Sequence, residues 1–328
     1  MRILAITSKH SGVGYHRIMM PIVNMRKEYA YITDVLNDEV LEKGFDILVI
    51  NRMLNEISAE QIEAWRDKYG FKLIVDNDDH WQLDPHHLLA DRYKQFGITE
   101  KIISYLRIAN LCTVTHERLA EEVKQYNTNV EILPNCLPYG KEQFLGEKTE
   151  SDLVRLFWSG SGTHEADINI IRNPFKRLQG VKTIMSGYNS NEKEVWDKMI
   201  IAFTNSLKLN PIIYNYAGVT QYMGAYSDSD IGIIPLLDTR FNAMKSNLKV
   251  LENATMKNPC IVSDVHPYKN LPVFYVKSQK DWVKHINNLV NDKDMREESG
   301  RKLFEYCNKH YNFDLVNEER FNIYSKCL

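Results

Sequence analysis

Residues 230–264, DIGIIPLLDTRFNAMKSNLKVLENATMKNPCIVSD, decide the fold. Two β-branched runs, DIGIIP and PCIVSD, bracket a stretch with helical spacing from Ala243 to Lys257, where Met244, Leu248, Leu251 and Thr255 recur on one stripe. Strand, helix, strand within 35 residues predicts a parallel pair joined by a crossover helix. The helix carries an electrostatic puzzle. Lys245 and Lys249 fall in its first two expected turns, where the dipole disfavours a cation by about 0.3–1 kcal/mol each. At 100° per residue they share a second stripe with Glu252, within about 60° of one another. Taken alone, the stripe is a solvated face with a Lys249–Glu252 i, i+3 pair.

The same alternation runs through the chain. RILAIT, DILVIN, KLIVDN, LCTVT and VEIL read as strands in the first half, separated by helical segments such as Glu60–Tyr69 and Glu117–Tyr126. VRLFWS, VKTIM, PIIYN, DIGIIP, PCIVSD and VFYVK form a second series. Runs apolar on both faces predict parallel sheets covered on both sides. Between the series lies PNCLPYGKEQFLGEKTESD, Pro134–Asp152, rich in Pro, Gly and charge. The expected fold class is α/β with two Rossmann-like domains, 1–140 and 153–308, joined by a linker at 141–152.

With 328 residues, 44% hydrophobic and 26% charged, the chain suits two globular domains and contains no disordered block. No apolar run approaches the roughly 18 residues of a transmembrane helix, and the apolar part of MRILAITSKH is too short for a signal peptide, so the expected location is the cytoplasm. Five widely spaced cysteines, with no C-x-x-C pair, predict reduced thiols without chemistry. Residues 1–150 hold 18 Lys and Arg against 23 Asp and Glu, whereas the remainder holds 23 against 20. A phosphate-bearing ligand is drawn to the second half, and the first lacks the basic field of a nucleic-acid or anionic-membrane surface.

Ligands of such sheets bind beyond the carboxyl ends of strands, at helix N-termini. At the first junction, TSKHSGVGYHRIMMP, Gly12 and Gly14 turn the chain into a helix expected near His16, a turn that either closes a tight loop or lets the backbone approach a ligand. The third position of G-x-G-x-x-G holds Arg17, so the dinucleotide fingerprint fails. At the corresponding junction of the second half, FWSGSGTHEADI, Gly160 and Gly162 form a Gly/Ser turn able to cradle phosphate, with Ser161 or Thr163 equally suited to cap the helix. His164 follows. A third junction, IVDNDDHWQLDPHHLL, crowds Asp76, Asp78, Asp79, His80 and Trp81 at one strand end, with His86 and His87 beyond. Clustered carboxylates there admit a metal, but loop capping is the commoner use; the density of acid and imidazole points to proton transfer.

With these junctions, the chain resembles the nucleotide-sugar glycosyltransferases of the B fold (GT-B), specifically the large retaining family 4, or group 1, of bacterial and phage enzymes. The resemblance spans nearly the whole length. It rests on SDSDIGIIPLLDTRFNAMKSNLKVLENATMKNPCIVSDVHPY (227–268) and VTHERLAEEVKQYNTNVEILPNC (114–136), with weaker support from FWSGSGTHEADI and SGVGYHR. It implies two domains facing across a cleft, with FDLVNEERFNIYSKC, within 309–328, as a C-terminal helix returning to the first domain. By the same resemblance the donor is a nucleoside-diphosphate sugar bound mainly by the second domain. Lys245 and Ser246 meet its phosphates, assisted by Lys249 and Arg240, Glu252 takes the ribose hydroxyls, and the backbone at Gly12 and Gly14 approaches the nucleotide sugar.

The resemblance further implies sugar transfer to a hydroxyl with retention, no metal and no cofactor beyond the donor co-substrate, and an acceptor entering from the first domain near Asp79, His80 and His16. The acceptor is a glycan, a lipid-linked precursor or a hydroxymethylated base in phage DNA. The family pattern also expects a glutamate at 244, where this chain has Met244. Asp238 and Asn242 are the substitutes the preceding loop offers. That departure leaves room for a nucleotide-sugar epimerase or hydrolase, or a catalytically degenerate binder, on the same fold.

Overall fold

The computed structural model describes residues 1–8, 10–25, 30–85, 87–205, 207 and 209–328; His86 lies outside them. The chain divides into two compact units. One comprises Met1–Cys136, Met244–Ser246 and Phe313–Leu328, the other Leu137–Ala243 and Asn247–Asn312.

The first unit is built on six parallel strands: β1 (Ile3–Ile6), β2 (Ala30–Thr33), β3 (Ile47–Asn51), β4 (Lys72–Asn77), β5 (Leu111–Val114) and β6 (Val130–Ile132), in the order β2-β1-β3-β4-β5-β6. Alternation along each strand feeds two cores. Leu4, Ile6, Leu48, Ile50, Leu73 and Val75 enter one, whereas Ile3, Ala5, Ile47, Val49 and Ile74 enter the other. This is why these strands read as unbroken apolar runs. The helix Phe313–Lys326 buries Ile323 and Tyr324 in the second of these cores, and Asn317 Nδ2 donates to the Pro21 carbonyl at 3.0 Å. Edge strand β2 was not anticipated, because its residues are only partly buried and carry no long apolar run.

The second unit repeats the plan with β7 (Val154–Ser159), β8 (Val181–Tyr188), β9 (Ile212–Asn215), β10 (Ile231–Ile234), β11 (Cys260–Ser263) and β12 (Phe274–Val276), ordered β12-β11-β10-β7-β8-β9. All its pairings are parallel. The stretch expected as a linker is held on this unit: Phe144 is buried, the Thr149 N–H donates to the Ser227 carbonyl at 3.0 Å, and Arg155 donates to the Thr149 carbonyl at 3.0 Å. Among the described residues no helix is long and apolar enough to cross a membrane.

Two local expectations change. The helix expected from Ala243 begins only at Leu248, preceded by a short 3-10 turn over Asn242–Met244. The reason is tertiary. The Met244 side chain is 1% exposed, inside the first unit's apolar core, and His116 Nε2 lies 3.0 Å from the Met244 carbonyl that a continuous helix would offer to Leu248. Lys245 therefore precedes the helix, and the three-charge stripe does not exist.

The helix after β1 starts earlier than His16. Gly12–Gly14 is already helical, capped by Ser11, and Tyr15–Met19 forms a π turn. Pro21 has no N–H to give the Arg17 carbonyl, and the wider turn closes instead through the Met20 N–H to the Tyr15 carbonyl.

Arg17 repays that irregularity. Its guanidinium, 2% exposed, meets Asp76 at the end of β4 through Nε–Oδ2 at 3.0 Å and Nη2–Oδ1 at 2.6 Å. Nη1 also donates to the Leu133 carbonyl at 2.7 Å and Asn135 Oδ1 at 3.2 Å. Removing one partner of a buried ion pair strands the other, at about 3–5 kcal/mol. Arg17→Ala should lower stability by that amount in urea unfolding, and Arg17→Lys, which keeps the charge but loses the fork, by less. A loss below about 1 kcal/mol for the alanine variant would contradict this assignment.

Candidate functional site

In the first unit, the loop after β4 concentrates the acids picked out in the sequence. Asp76 has both oxygens engaged: besides Arg17 it accepts from Thr113 Oγ1 at 2.7 Å and Asn51 Nδ2 at 3.2 Å. Asp76 is thus a structural anchor, and among the described residues no group of three His, Cys, Asp or Glu is placed to hold a metal ion. Asp78 is buried beside it and accepts from Asn51 Nδ2 at 3.4 Å. Burial and the neighbouring Asp79 push its carboxyl up to about 6.

Asp79 keeps a partly exposed carboxylate, 3.8 Å from Lys245 Nζ. His80 has no exposed surface. Its ring stacks on Trp81 at 4.6 Å, Nδ1 accepts the Gln82 N–H at 3.0 Å, and Nε2 lies 3.7 Å from Glu122 Oε2. His16 is buried too, and burial together with Arg17 holds it down to about 3, so it stays neutral at physiological pH.

Two further residues here gave no sequence signal. Arg52, just beyond β3, takes a left-handed backbone at φ 59°, uncommon for a non-glycine residue, and its N–H donates to the Asp76 carbonyl at 2.7 Å. His116 caps its own helix by accepting the Leu119 N–H at Nδ1, which fixes the proton on Nε2 for Met244. Ser246 accepts from Asn135 Nδ2 at 2.7 Å, in the same unit.

A cavity of about 420 Å³ opens at the carboxyl ends of β1 and β3, lined among others by Thr7, Ser11, Gly14, Asp34, Asn51 and Glu56. Those strands flank the point where the strand order reverses, which is where open α/β sheets take ligands. Gly14 is required by packing, since a Cβ there would lie 2.0 Å from Thr7 Oγ1, whereas one at Gly12 would meet nothing.

In the second unit the reversal falls between β7 and β10. The turn after β7 brings Gly160, Ser161, Gly162 and His164 to that point. Ser161 does not cap the helix; its hydroxyl pairs with Thr163 Oγ1 at 2.7 Å. Gly162 N–H already faces the Glu192 carboxylate at 3.3 Å, so this turn is a poorer phosphate cradle than its composition promised.

After β10 come exposed Arg240, buried Asn242, and the helix Leu248–Thr255. Lys249, in its first turn, lies 3.5 Å from His164 Nε2. Glu252 is 7% exposed and accepts from Tyr226 Oη at 2.6 Å, and burial raises its carboxyl above the usual range. Tyr226, which the sequence did not single out, is itself fixed against Phe157 at 4.4 Å. Lys249, His164 and Glu252 thus gather along the first two turns of one helix; Lys245 and Ser246 belong to the first unit.

No protein-family model matches the chain, and no curated protein matches it. Solved structures do. Sucrose-phosphate synthase from Thermosynechococcus elongatus superposes with a TM-score of 0.73 at 10% identity, over 99% of each chain. HepE from Anabaena, in complex with UDP and glucose, gives 0.74 at 10% identity, again over 99% of both. A UDP-forming trehalose-phosphate synthase from Burkholderia xenovorans gives 0.60 at 10% identity, covering 85% of this chain and 74% of that one. At such identities the likeness is one of fold: two parallel six-stranded Rossmann-like sheets, as in GT-B glycosyltransferases.

The buried acid at Asp78 makes stability depend on pH in a defined direction. Its folded-state value, about 6, exceeds the ordinary 3.8, so its contribution is full below 3.8 and lost as pH rises through 6. Asp78→Asn should therefore be more stable than wild type at pH 7, by at most about 3 kcal/mol, with the advantage gone near pH 4. Paired thermal melts at the two pH values check it; an Asn variant less stable at pH 7 than at pH 4, each relative to wild type, would reverse the sign.

Proposed function

We propose that the protein is a glycosyltransferase that moves a sugar from a nucleoside-diphosphate donor to a hydroxyl, with the donor held by the second unit. One observation carries this: at the strand-order reversal of that unit's sheet, a lysine, an imidazole held by a carboxylate and a buried glutamate gather along the first two turns of one helix. The first-turn N–H groups and Lys249 supply positive charge for a diphosphate, and Glu252, aligned by Tyr226, suits a ribose diol. The HepE structures, solved with UDP and with UDP-glucose, support such a ligand for this fold.

In the step proposed, the bond from the anomeric carbon to the diphosphate breaks and its electron pair stays with the phosphate. The acceptor oxygen forms the new bond, and its proton passes to a donor phosphate oxygen. Lys249 and the helix N–H groups stabilise the charge that develops on the leaving diphosphate, which assigns no task to a metal. Retention follows from attack on the face the diphosphate leaves. Acceptor contacts are assigned to the first unit, where Asp79 offers a reachable carboxylate; buried His80 and neutral His16 support that loop and the helix after β1. Lys245 pairs with Asp79 within the first unit, at 3.8 Å.

Met244 favours a second reading. Its side chain fills an apolar core where the family pattern expects an acid, which suits a sugar-nucleotide binder without turnover. Assays with donor alone and with a panel of hydroxyl acceptors separate the two.

Three outcomes are expected. Lys249→Ala and Glu252→Ala each lose charge-assisted hydrogen bonds of about 1.5–3 kcal/mol, or roughly 10- to 150-fold in donor affinity by calorimetry; unchanged affinity in both would sink the donor site. Turnover should survive exhaustive EDTA treatment, and an absolute demand for Mg²⁺ or Mn²⁺ would overturn the metal-free step. Asp79→Asn should slow turnover by about 10²-fold or more while donor affinity holds.

A further inference from the structure

Asp167 sits one turn beyond His164 and is buried. Two N–H donors reach one of its oxygens and an imidazole the other. Oδ1 accepts the Leu237 N–H at 2.8 Å and Asn242 Nδ2 at 3.1 Å, both from the loop after β10. Oδ2 lies 2.7 Å from His164 Nδ1. Two N–H donors on Oδ1 favour the ionised carboxylate, and an ionised Oδ2 can only accept, which places the imidazole proton on Nδ1. His164 Nε2 then carries a lone pair, and it faces Lys249 Nζ at 3.5 Å. An ammonium can only donate, so the polarity of the chain agrees at both ends: carboxylate, Nδ1–H, Nε2, ammonium. Trp158 packs edge-on to the ring at 6.1 Å and limits its rotation.

We propose that Asp167 is the positioning residue of the donor site: it sets the His164 tautomer, and through it aims Lys249 at the phosphates while fixing the loop that carries Asn242. The inference rests on the donor reading for its purpose, but not for its geometry. Asp167 touches no substrate. With asparagine at 167, one of its two polar atoms becomes a donor. Turned toward His164, the amide forces the ring proton onto Nε2, against the Lys249 ammonium. Turned the other way, it opposes the Leu237 N–H and frees the loop.

The test has two arms. Ring-nitrogen NMR of the wild type, with the His164 signals identified by their loss in His164→Gln, should show the Nδ1–H tautomer; Nε2–H in the wild type would overturn the relay, whatever the protein binds. Calorimetry with UDP, GDP, ADP and inorganic pyrophosphate then selects the diphosphate that binds tightest. Asp167→Asn should weaken that ligand about 10-fold or more and shift the His164 tautomer. In a Lys249→Met background the same change should cost little, because the aimed group is gone. Equal loss in both backgrounds would show that Asp167 acts only on the fold.

If Asp167→Asn does not fold, the cycle of His164→Gln with Lys249→Met gives the same comparison, and additivity there overturns the proposal. A wild type that binds none of the four probes overturns the donor reading and the purpose assigned to the relay, while the tautomer still decides the geometry separately.

Discussion

The bidentate pair of Arg17 with Asp76 is the constraint around which the first unit is organised. One guanidinium joins the helix after β1, the end of β4 and the chain after β6, and it does so where water is excluded. Two charges in such a place are tolerable only because the remaining donors and lone pairs are used: Thr113 and Asn51 complete the carboxylate, and Leu133 and Asn135 the guanidinium. The carboxyl ends of four strands, β3 to β6, are thereby fixed relative to the helix that starts at Gly12. Asn135 then carries the network onward to Ser246.

Arg17 also explains why the glycine turn looked like a failed fingerprint. The third glycine of a dinucleotide turn exists to let helix and strand approach closely. Here close approach is met one step earlier, at Gly14 over Thr7, and the third position is given to a side chain that ties the sheet together. The turn keeps the geometry of a ligand-binding junction and spends its specificity on the scaffold.

Eleven of the twelve strands were legible: eight are buried along most of their length, which leaves apolar runs that no competing period imitates, and the partly exposed edge strands β6, β9 and β12 still carry β-branched or aromatic residues. β2 was not, since its four residues lie between Lys27-Glu28 and Asp34 and leave too short a run to stand out. Sequence periodicity also could not find the true start of the helix after β10. Its stripe is satisfied from Met244 onward, but the Met244 carbonyl is taken by His116, 128 residues away. The candidate site shows the same division. Glu252, Lys249 and His164 stood out by type and junction, whereas Asp167 and Tyr226 matter through contacts with residues 75 and 26 positions distant, which no local pattern records.

Met244 is where these lines meet. Its side chain lies in the core with Leu4, Trp81 and Leu119, and a glutamate in its place would bring a carboxylate into that apolar cluster. The missing acid is therefore not a single change waiting to be reversed; the surroundings have been built for methionine. Of the substitutes the loop offers, Asn242 has its amide committed to Asp167 and the Leu237 carbonyl, and only Asp238 stays exposed. Among the described residues, the buried acids near the helix Leu248–Thr255 are Glu252 and Asp167, one engaged with Tyr226 and the other with His164. Both buried acids are thus already engaged, so in the donor site proposed above the chemistry is assigned to the diphosphate itself and to Lys249.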